Sequence, residues 1–371
     1  MSGIIEYLKD YDYKFFDAYP FNEVDGLCFA NLTYAYFENV FTDNDQLNGL
    51  DLHTIAKRFL KNIGNRDYVR AFNDYNFVKV MADCHRYKDA KCLYYESSFD
   101  VKEEKQFAAL CIDIGKYIVV SYRGTDGSVI GWKEDFNMSF ENIVPSQKLA
   151  LTYLNRVIKN FNKKIIVVGH SKGGNLAQYA TLKLSLKNRK RIERIYSFDA
   201  PGFNEITYRY FEDSKLNISS FAPVSSVIGL LMENNHHNIY IEAKGFYLFQ
   251  HDPYLWYVDD NHFVRVSDND SVSKFTAQAI DNLMGKVSFE DRRHFIDTMF
   301  EIVNVSKAYW ADDVIMGLIK NHHELFELLK VQDDRTKKII DMVLRLSFES
   351  IKDTATLNIK NTLNDIFKQM K

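Results

Sequence analysis

Ser171 stands in the part of the sequence whose residue types and spacing best suit chemistry. It follows an apolar, β-branched run from Ile165 to Val168, and Gly169 and Gly173 flank it in a Gly-x-Ser-x-Gly pattern that leads into a helix-forming stretch. This pattern is typical of a nucleophile elbow, a sharp turn from a buried parallel strand into a helix that presents a serine hydroxyl. Glycines are needed at the flanks because a side chain there would collide with the neighbouring strand or helix. The elbow predicts a nucleophilic serine, which needs a base; the alternative is a glycine-rich turn with an incidental serine.

His251 is the histidine best placed to act as that base. In the chain order typical of α/β-hydrolases, an acid and then a histidine follow the serine, and the histidine lies on a loop after a late strand. His251 directly follows the strand-like stretch Gly-Phe-Tyr-Leu-Phe-Gln and precedes the turn signal Asp252-Pro253. The other histidines downstream of the serine lie in polar segments or in the helical tail: His236, His237, His262, His294, His322 and His323.

The elements expected around the serine alternate between strands and helices. Residues 107–122 predict two strands joined by a tight turn, and Pro145–Asn160 predicts a helix. Ile195–Phe198 is a second buried-strand run and ends in Asp199-Ala-Pro-Gly. Further short strands are predicted at 218–221, 238–242 and 245–249. Strands alternating with helices predict an α/β core with a mostly parallel sheet.

Composition and charge argue against several classes of partner. The net charge of −3 provides no global attraction to nucleic acid or to an anionic membrane. The sequence shows neither a signal-peptide pattern at its start nor an apolar run long enough for a transmembrane helix. It also has no metal- or nucleotide-binding motif, so no cofactor and no metal are expected. Four cysteines without a Cys-x-x-Cys pair or zinc spacing predict reduced thiols in a cytoplasmic protein: Cys28, Cys84, Cys92 and Cys111.

Four segments together resemble blocks of class 3 (fungal-type) lipases, members of the α/β-hydrolase superfamily. The segment Tyr122–Phe136 resembles their Arg-Gly-Ser/Thr…Trp…Asp block, and Gly-His-Ser-Lys-Gly-Gly at 169–174 is similar to their Gly-His-Ser-Leu-Gly-Gly. With Phe198–Gly202 and Gln250–Pro253, the chain most closely resembles a bacterial branch of the superfamily whose domain has no assigned function. The resemblance covers roughly residues 20–265, and it implies an α/β-hydrolase-type sheet flanked by helices.

The resemblance also implies an oxyanion hole and a lid. The backbone N–H groups of Thr125 and Lys172 would receive the oxyanion, as donors that typically contribute about 10²–10³ in rate each. The Lys172 ammonium is expected to be solvated; the alternative is that it helps to bind an anionic substrate. In the lipases the segment after the Arg-Gly turn forms the lid. Here Val129, Ile130 and Trp132 would give its apolar face, with Lys133, Glu134 and Asp135 on the opposite face.

The triad acid is the position at which the sequence departs from the lipase pattern. In those lipases the acid follows the strand two after the elbow, but no Asp or Glu lies between Ser214 and Met232. Asp199, at the end of the strand directly after the elbow, is one candidate, although it could instead cap the Ala-Pro-Gly turn. The alternatives are a dyad, either supported by Ser225 or unsupported, and another carboxylate such as Asp259 or Asp260.

Together these features predict an α/β-hydrolase-like domain at 1–268, whose first 105 residues are mixed and helical, followed by a helical region at 269–371. The predicted function is a cytoplasmic serine hydrolase that cleaves carboxylic, and in one version lipid, esters through an acyl-enzyme on Ser171. The alternative is a hydrolase-fold protein that has lost efficient catalysis and serves as a binding module. The missing acid favours the alternative, whereas the intact elbow, His251 and the Arg-Gly-Thr turn favour the enzyme.

Overall fold

The computed structural model describes residues 2–42, 45, 48–61, 72–209, 216–233, 237–245, 247–270, 274 and 288–331. His236 and, within the helical region predicted at 269–371, residues 275–287 and those beyond 331 lie outside these described residues. The described residues form two compact units. The first comprises residues up to Asp126 together with those from Asn142 to 274, and the second comprises Gly127–Glu141 and residues 288–331.

An eight-stranded sheet forms the centre of the first unit, and its strand order follows the chain. The first four strands pair antiparallel, whereas the pairs from the fourth to the eighth strand are all parallel. The predicted α/β class with a parallel sheet around the elbow strand is therefore confirmed. The strands are β1 (Leu50–Asp51), β2 (Lys91–Asp100), β3 (Lys105–Asp113), β4 (Tyr117–Tyr122), β5 (Lys164–His170), β6 (Ile192–Phe198), β7 (Ile218–Pro223) and β8 (Asn238–Ile241). A separate two-stranded sheet pairs β9 (Val258–Asp259) with β10 (His262–Phe263).

Helices cover both faces of this sheet. The described helices of the first unit are α1 (Ile4–Asp10), α2 (Glu23–Leu32), α3 (Leu52–Lys61), α4 (Phe72–Asp83), α6 (Pro145–Asn160), α7 (Lys172–Lys183), α8 (Leu186–Arg189) and α9 (Glu205–Tyr208); α5 (Val129–Asn137) lies in the second unit. Helix α2 packs into one apolar core together with α1, whereas α6 and α7 pack into a second core. Helix α6 begins and ends at the residues predicted for it, Pro145 and Asn160, so that prediction is confirmed.

The elbow strand β5 explains why the sheet needs cover on both faces. Ile166 and Val168 belong to the core that contains α2, while Ile165 and Val167 belong to the core that contains α6 and α7. Successive side chains of a strand point to opposite faces, so a continuous apolar run is stable only between two apolar layers. This central position brings the end of β5, and the serine after it, to the carboxyl ends of the parallel strands.

Two strand assignments differ from those expected from the sequence. The strand predicted at 245–249 is wrong for residues 247–249, because Tyr247–His251 forms a 3₁₀ helix. Aromatic residues favour strands through packing rather than through the backbone itself, and here the chain turns to place Gln250 and His251. Conversely, β2 is a long strand that the sequence analysis did not single out; its register shifts between Leu93 and Glu96.

The second unit is helical in its described residues. It contains α5 (Val129–Asn137), α10 (Phe289–Val305), α11 (Val314–Lys320) and α12 (His322–Val331). Val129 packs with Ile296 and Phe300 in a small apolar cluster. Lys133 lies 3.1 Å from Asp297 in an ion pair. The helical character expected of the C-terminal part is therefore confirmed for these residues.

The two faces expected for a lid are not those of helix α5. Trp132, assigned to the apolar face, is 49% exposed, whereas Glu134, assigned to the charged face, is fully buried. Helical spacing explains part of the difference, because Val129 and Lys133 lie four residues apart and so share one side of α5, and both contact α10. Among the described residues, no helix is both long enough and apolar enough to cross a membrane.

Candidate active site

Ser171 occupies a strained turn between β5 and α7. Its backbone has φ 57° and ψ −133°, a left-handed conformation that is rare for a residue with a side chain. Its peptide N–H donates to the carbonyl of Phe198 at 2.9 Å, which ties the turn to the end of β6. At Gly169, a Cβ atom would lie 2.1 Å from the carbonyl oxygen of Gly173, so the strand and the helix can approach this closely only without a side chain. The close approach of strand and helix therefore gives position 169 a local steric reason to be glycine.

Asp199 and His251 form a close polar pair at this end of the sheet. The Nδ1 atom of His251 lies 2.7 Å from the Oδ2 atom of Asp199, which is fully buried. The other carboxylate oxygen of Asp199 accepts from the Ser226 hydroxyl at 2.6 Å and from the Gly229 peptide N–H at 3.0 Å. Asp199 itself has a left-handed backbone, with φ 44°. Every one of these contacts favours a carboxylate fixed in one orientation against the imidazole.

The segment that carries His251 is held by side chains of other elements. The indole N–H of Trp256 donates to the Gln250 carbonyl at 2.7 Å. The Gln250 side chain donates to the carbonyls of Ala243 at 3.0 Å and Gly245 at 2.9 Å, and it accepts from the Ser225 peptide N–H at 2.8 Å. Because these bonds fix Gln250, the residue directly before it, His251 is positioned before any ligand arrives.

His170 links the nucleophile turn to the same segment. Its Nε2 atom lies 2.9 Å from the His251 carbonyl oxygen, and its ring centroid lies 4.5 Å from that of His251. Ser171 therefore follows a residue that contacts the backbone of His251, and its own N–H donates to the carbonyl of Phe198, the residue before Asp199. These two connections tie the backbone turn at Ser171 to the segments that carry Asp199 and His251.

The turn after β4 lies directly against the elbow. A Cβ atom at Gly124 would lie 2.7 Å from the His170 carbonyl oxygen, so Thr125 follows a residue in close contact with the nucleophile turn. The Arg123 guanidinium, 3.7 Å from the Asp126 carboxylate, makes an ion pair that spans Thr125. Burial alone would lower the pKa of Arg123, but Tyr95, Glu38 and Asp126 raise it overall, so the guanidinium stays charged.

Lys172 is the first residue of helix α7. The backbone N–H groups in the first turn of a helix favour negative charge near them. The side chain of Lys172 was expected to be solvated, and that expectation is wrong. The residue is only 1% exposed, and its ammonium donates to the Gln106 carbonyl at 3.0 Å and to the Gln106 amide oxygen at 2.8 Å. The long apolar stem of lysine explains how it can cross the core and still reach polar partners on β3.

The two other carboxylates considered for the acid position lie elsewhere. The Asp260 carboxylate accepts from the Tyr11 hydroxyl at 2.9 Å, and Asp259 is exposed on β9. The peptide N–H of Ser225 donates to the Gln250 side chain at 2.8 Å. The sequence analysis did not single out Ser226 or Gly229, since nothing short-range marks a residue that binds a carboxylate from another strand. No group of three or more His, Cys, Asp and Glu side chains among the described residues could hold a metal ion.

The sheet order, the elbow and the polar pair at the strand ends define an α/β-hydrolase-type protein of the lipase-like kind. The chain belongs to the Mbeg1-like family, whose model matches residues 81–301, more than half of the chain. A comparison with curated proteins gives no match.

Several solved structures are similar to this chain. One is a lipase from Rhizopus microsporus var. chinensis, which is 16% identical in sequence. The match covers 73% of this chain and 85% of that lipase, with a TM-score of 0.37. Another is described as a fungal lipase, 14% identical, which covers 72% of this chain and 88% of its own with a TM-score of 0.39. A third is the Rhizomucor miehei lipase in complex with its propeptide, 13% identical, which covers 60% of this chain and 68% of its own with a TM-score of 0.35.

Proposed function

We propose that this protein is a serine hydrolase that cleaves carboxylic esters, lipid esters included, through an acyl-enzyme on Ser171. His251 is the base, Asp199 is the acid that orients it, and the N–H groups of Thr125 and Lys172 form the oxyanion hole. The reaction needs no cofactor, and the four free, buried cysteines fit a reducing compartment such as the cytoplasm.

The observation that carries this proposal is the contact between Asp199 and His251. At 2.7 Å, the Nδ1–H group of His251 donates to a buried carboxylate, which leaves Nε2 as the ring nitrogen that can accept a proton. A carboxylate that holds the proton on Nδ1 also stabilises the imidazolium that forms when Nε2 is protonated. The pair therefore supplies what the elbow alone lacks, a base of defined tautomer.

The proposed reaction proceeds in two halves. Ser171 Oγ attacks the ester carbonyl carbon while His251 Nε2 takes the serine proton, and the tetrahedral oxyanion accepts from the Thr125 and Lys172 peptide groups. The intermediate collapses as His251 returns the proton to the leaving alcohol, which leaves the acyl group on Ser171. A water molecule, deprotonated by His251, then attacks the acyl carbon; the bond between that carbon and Ser171 Oγ breaks, His251 returns the proton to Ser171, and the carboxylic acid is released.

A fluorophosphonate probe tests this proposal directly, because it phosphonylates only an activated serine. We expect labelling of the wild-type protein at neutral pH, and we expect Ser171→Ala and His251→Ala to abolish it. Ser97→Ala, at an exposed position of β2, and His262→Ala, at an exposed position of β10, are matched controls that should label like the wild type.

Two outcomes would contradict the proposal. A wild-type protein that does not label would favour the alternative of a hydrolase-fold binding module. Labelling that persists undiminished in Ser171→Ala would assign the reactive group to another residue.

A further inference from the structure

His170 and Tyr34 form a buried pair beside the proposed site that the acyl-transfer steps above do not use. His170 is 2% exposed and Tyr34 is 3% exposed. The Tyr34 hydroxyl lies 2.8 Å from His170 Nδ1, and His170 Nε2 lies 2.9 Å from the carbonyl oxygen of His251. The two ring nitrogens of His170 therefore both have partners, one on each side.

The partners determine where the protons lie. A carbonyl oxygen can only accept, so His170 Nε2 must carry a hydrogen and donate to His251. In the neutral ring Nδ1 is then an acceptor, and the hydroxyl of Tyr34 donates to it. Tyr34 also lies 3.4 Å from the His170 carbonyl oxygen, a longer alternative for the same hydroxyl hydrogen.

The surroundings leave little freedom for this pair. A Cβ atom at Gly124 would lie 2.2 Å from the Tyr34 hydroxyl oxygen, so the hydroxyl reaches His170 only because residue 124 has no side chain. On the other side, the ring of Trp256 lies 6.0 Å from that of His170, and its N–H binds the carbonyl of Gln250. Two consecutive carbonyls of the base segment, at Gln250 and His251, thus accept from buried aromatic N–H groups.

We propose that Tyr34 and His170 are positioning residues that fix the backbone of His251 relative to Ser171. The inference rests on the proposed function, since it concerns the distance between its base and its nucleophile. His170 is the residue before Ser171 in the chain, so its bond to the His251 carbonyl connects the two reacting groups through one side chain and one peptide unit. Tyr34 keeps the His170 ring in the orientation and tautomer that this bond requires. Misplacement of a reacting group by about 1 Å can cost about 10² in rate, which sets the scale of the effect.

Four variants test the proposal through the rate constant of fluorophosphonate labelling, measured at saturating and at low probe concentrations. Tyr34→Phe removes one hydrogen bond of ordinary strength and should lower the maximal labelling rate about fivefold, with little change in the half-saturating concentration. His170→Leu removes both connections and should lower the rate about 10²-fold. His170→Gln keeps an N–H donor that can reach the His251 carbonyl, so it should recover about tenfold of the loss in His170→Leu. The matched control is Tyr153→Phe, which removes a buried hydroxyl that donates to the Tyr94 carbonyl at 2.7 Å, away from the site, and should label like the wild type.

The nitrogen resonances of ¹⁵N-labelled histidine provide a readout that a merely structural role would not move. In the wild type, His170 should show a protonated Nε2 and an unprotonated, hydrogen-bonded Nδ1. In Tyr34→Phe, the Nδ1 resonance should shift as that bond is lost. An unprotonated Nε2 in the wild type would overturn the inference.

The labelling data separate failure of this inference from failure of the proposed function. If the wild type labels and Tyr34→Phe and His170→Leu label equally fast, the positioning role is refuted while the hydrolase survives. If His170→Gln labels no faster than His170→Leu, the connection to the His251 carbonyl is refuted as its cause. If the wild type does not label at all, the proposed function fails and this inference fails with it.

Discussion

Asp199→Asn tests the proposed acid with the smallest change in shape that removes its charge. The carboxylate has three partners, and they dictate how an amide must sit. At Oδ1, the Gly229 peptide N–H at 3.0 Å can only donate, so the amide oxygen of the substituted side chain has to stay on that side. The amide NH₂ group then faces His251 Nδ1, which lies 2.7 Å from Oδ2 in the native pair.

That orientation imposes the wrong tautomer on His251. Nδ1 must now accept from the amide, so the ring proton moves to Nε2, the atom that has to take the proton of Ser171. In the analogous substitution of a serine-protease triad, this reversal costs about 10⁴ in rate, equivalent to about 5 kcal/mol of transition-state stabilisation. The expected result for Asp199→Asn is therefore a fall of about 10⁴ in the rate of fluorophosphonate labelling and of ester hydrolysis.

The assay needs a control for the loss of a carboxylate in general. Asp260→Asn removes an acid of 63% side-chain exposure that pairs with Lys14 and should leave both rates within about twofold of the wild type. Unfolding in urea should show that Asp199→Asn is folded under assay conditions. A folded Asp199→Asn protein that keeps its rate within tenfold of the wild type would refute the assignment of Asp199 as the acid.

Two further predictions concern the elbow and the thiols. Gly169→Ala places a Cβ atom 2.1 Å from a backbone oxygen and should lower the free energy of unfolding by about 3 kcal/mol or more. The control Gly115→Ala, at φ 82° with nothing within 4 Å of the new Cβ, should lower it by about 1–2 kcal/mol. Equal losses of the two variants in urea unfolding would contradict the packing argument. Burial raises the pKa of Cys84 to about 12 and holds those of Cys28 and Cys111 well above their usual value, so none of the four buried thiols should react with a disulfide reagent at pH 8 in the native protein, and all four should react in denaturant. Rapid modification of a native thiol at pH 8 would show that at least one cysteine is accessible.

The sequence predicts the elbow well because its determinants are adjacent in the chain. The apolar run of β5, the serine and the two flanking glycines lie within nine consecutive residues, and each has a local steric or packing reason. Helix Pro145–Asn160 is equally local, since it begins at a proline in the first turn and continues with apolar residues at helical spacing. Elements of this kind depend on short-range patterns that a single sequence displays.

The parts that the sequence left open depend on which strand ends meet. Asp199 and His251 are 52 residues apart, and their contact depends on tertiary placement, because Asp199 directly follows β6 whereas His251 ends a 3₁₀ helix that comes after β8. The buried side chain of Lys172 has the same origin, because its partner Gln106 lies 66 residues away on β3. The assignment of 245–249 as a strand failed at 247–249 for a related reason, since the backbone turn there serves contacts to distant segments rather than the local aromatic pattern.

The same geometry changes the weight of the one observation that favoured a binding module. That alternative rested on the absence of Asp and Glu from the loop after β7, where the lipase pattern expects the acid. In the structure this loop supplies donors instead, the hydroxyl of Ser226 at 2.6 Å and the peptide N–H of Gly229 at 3.0 Å, and both bind the carboxylate of Asp199 from the neighbouring strand. A loop that orients a carboxylate has no need to carry one, and a second buried negative charge there would repel the first. The empty acid position therefore argues for a relocated acid rather than for a lost one, and the rate of Asp199→Asn relative to Asp260→Asn decides between them.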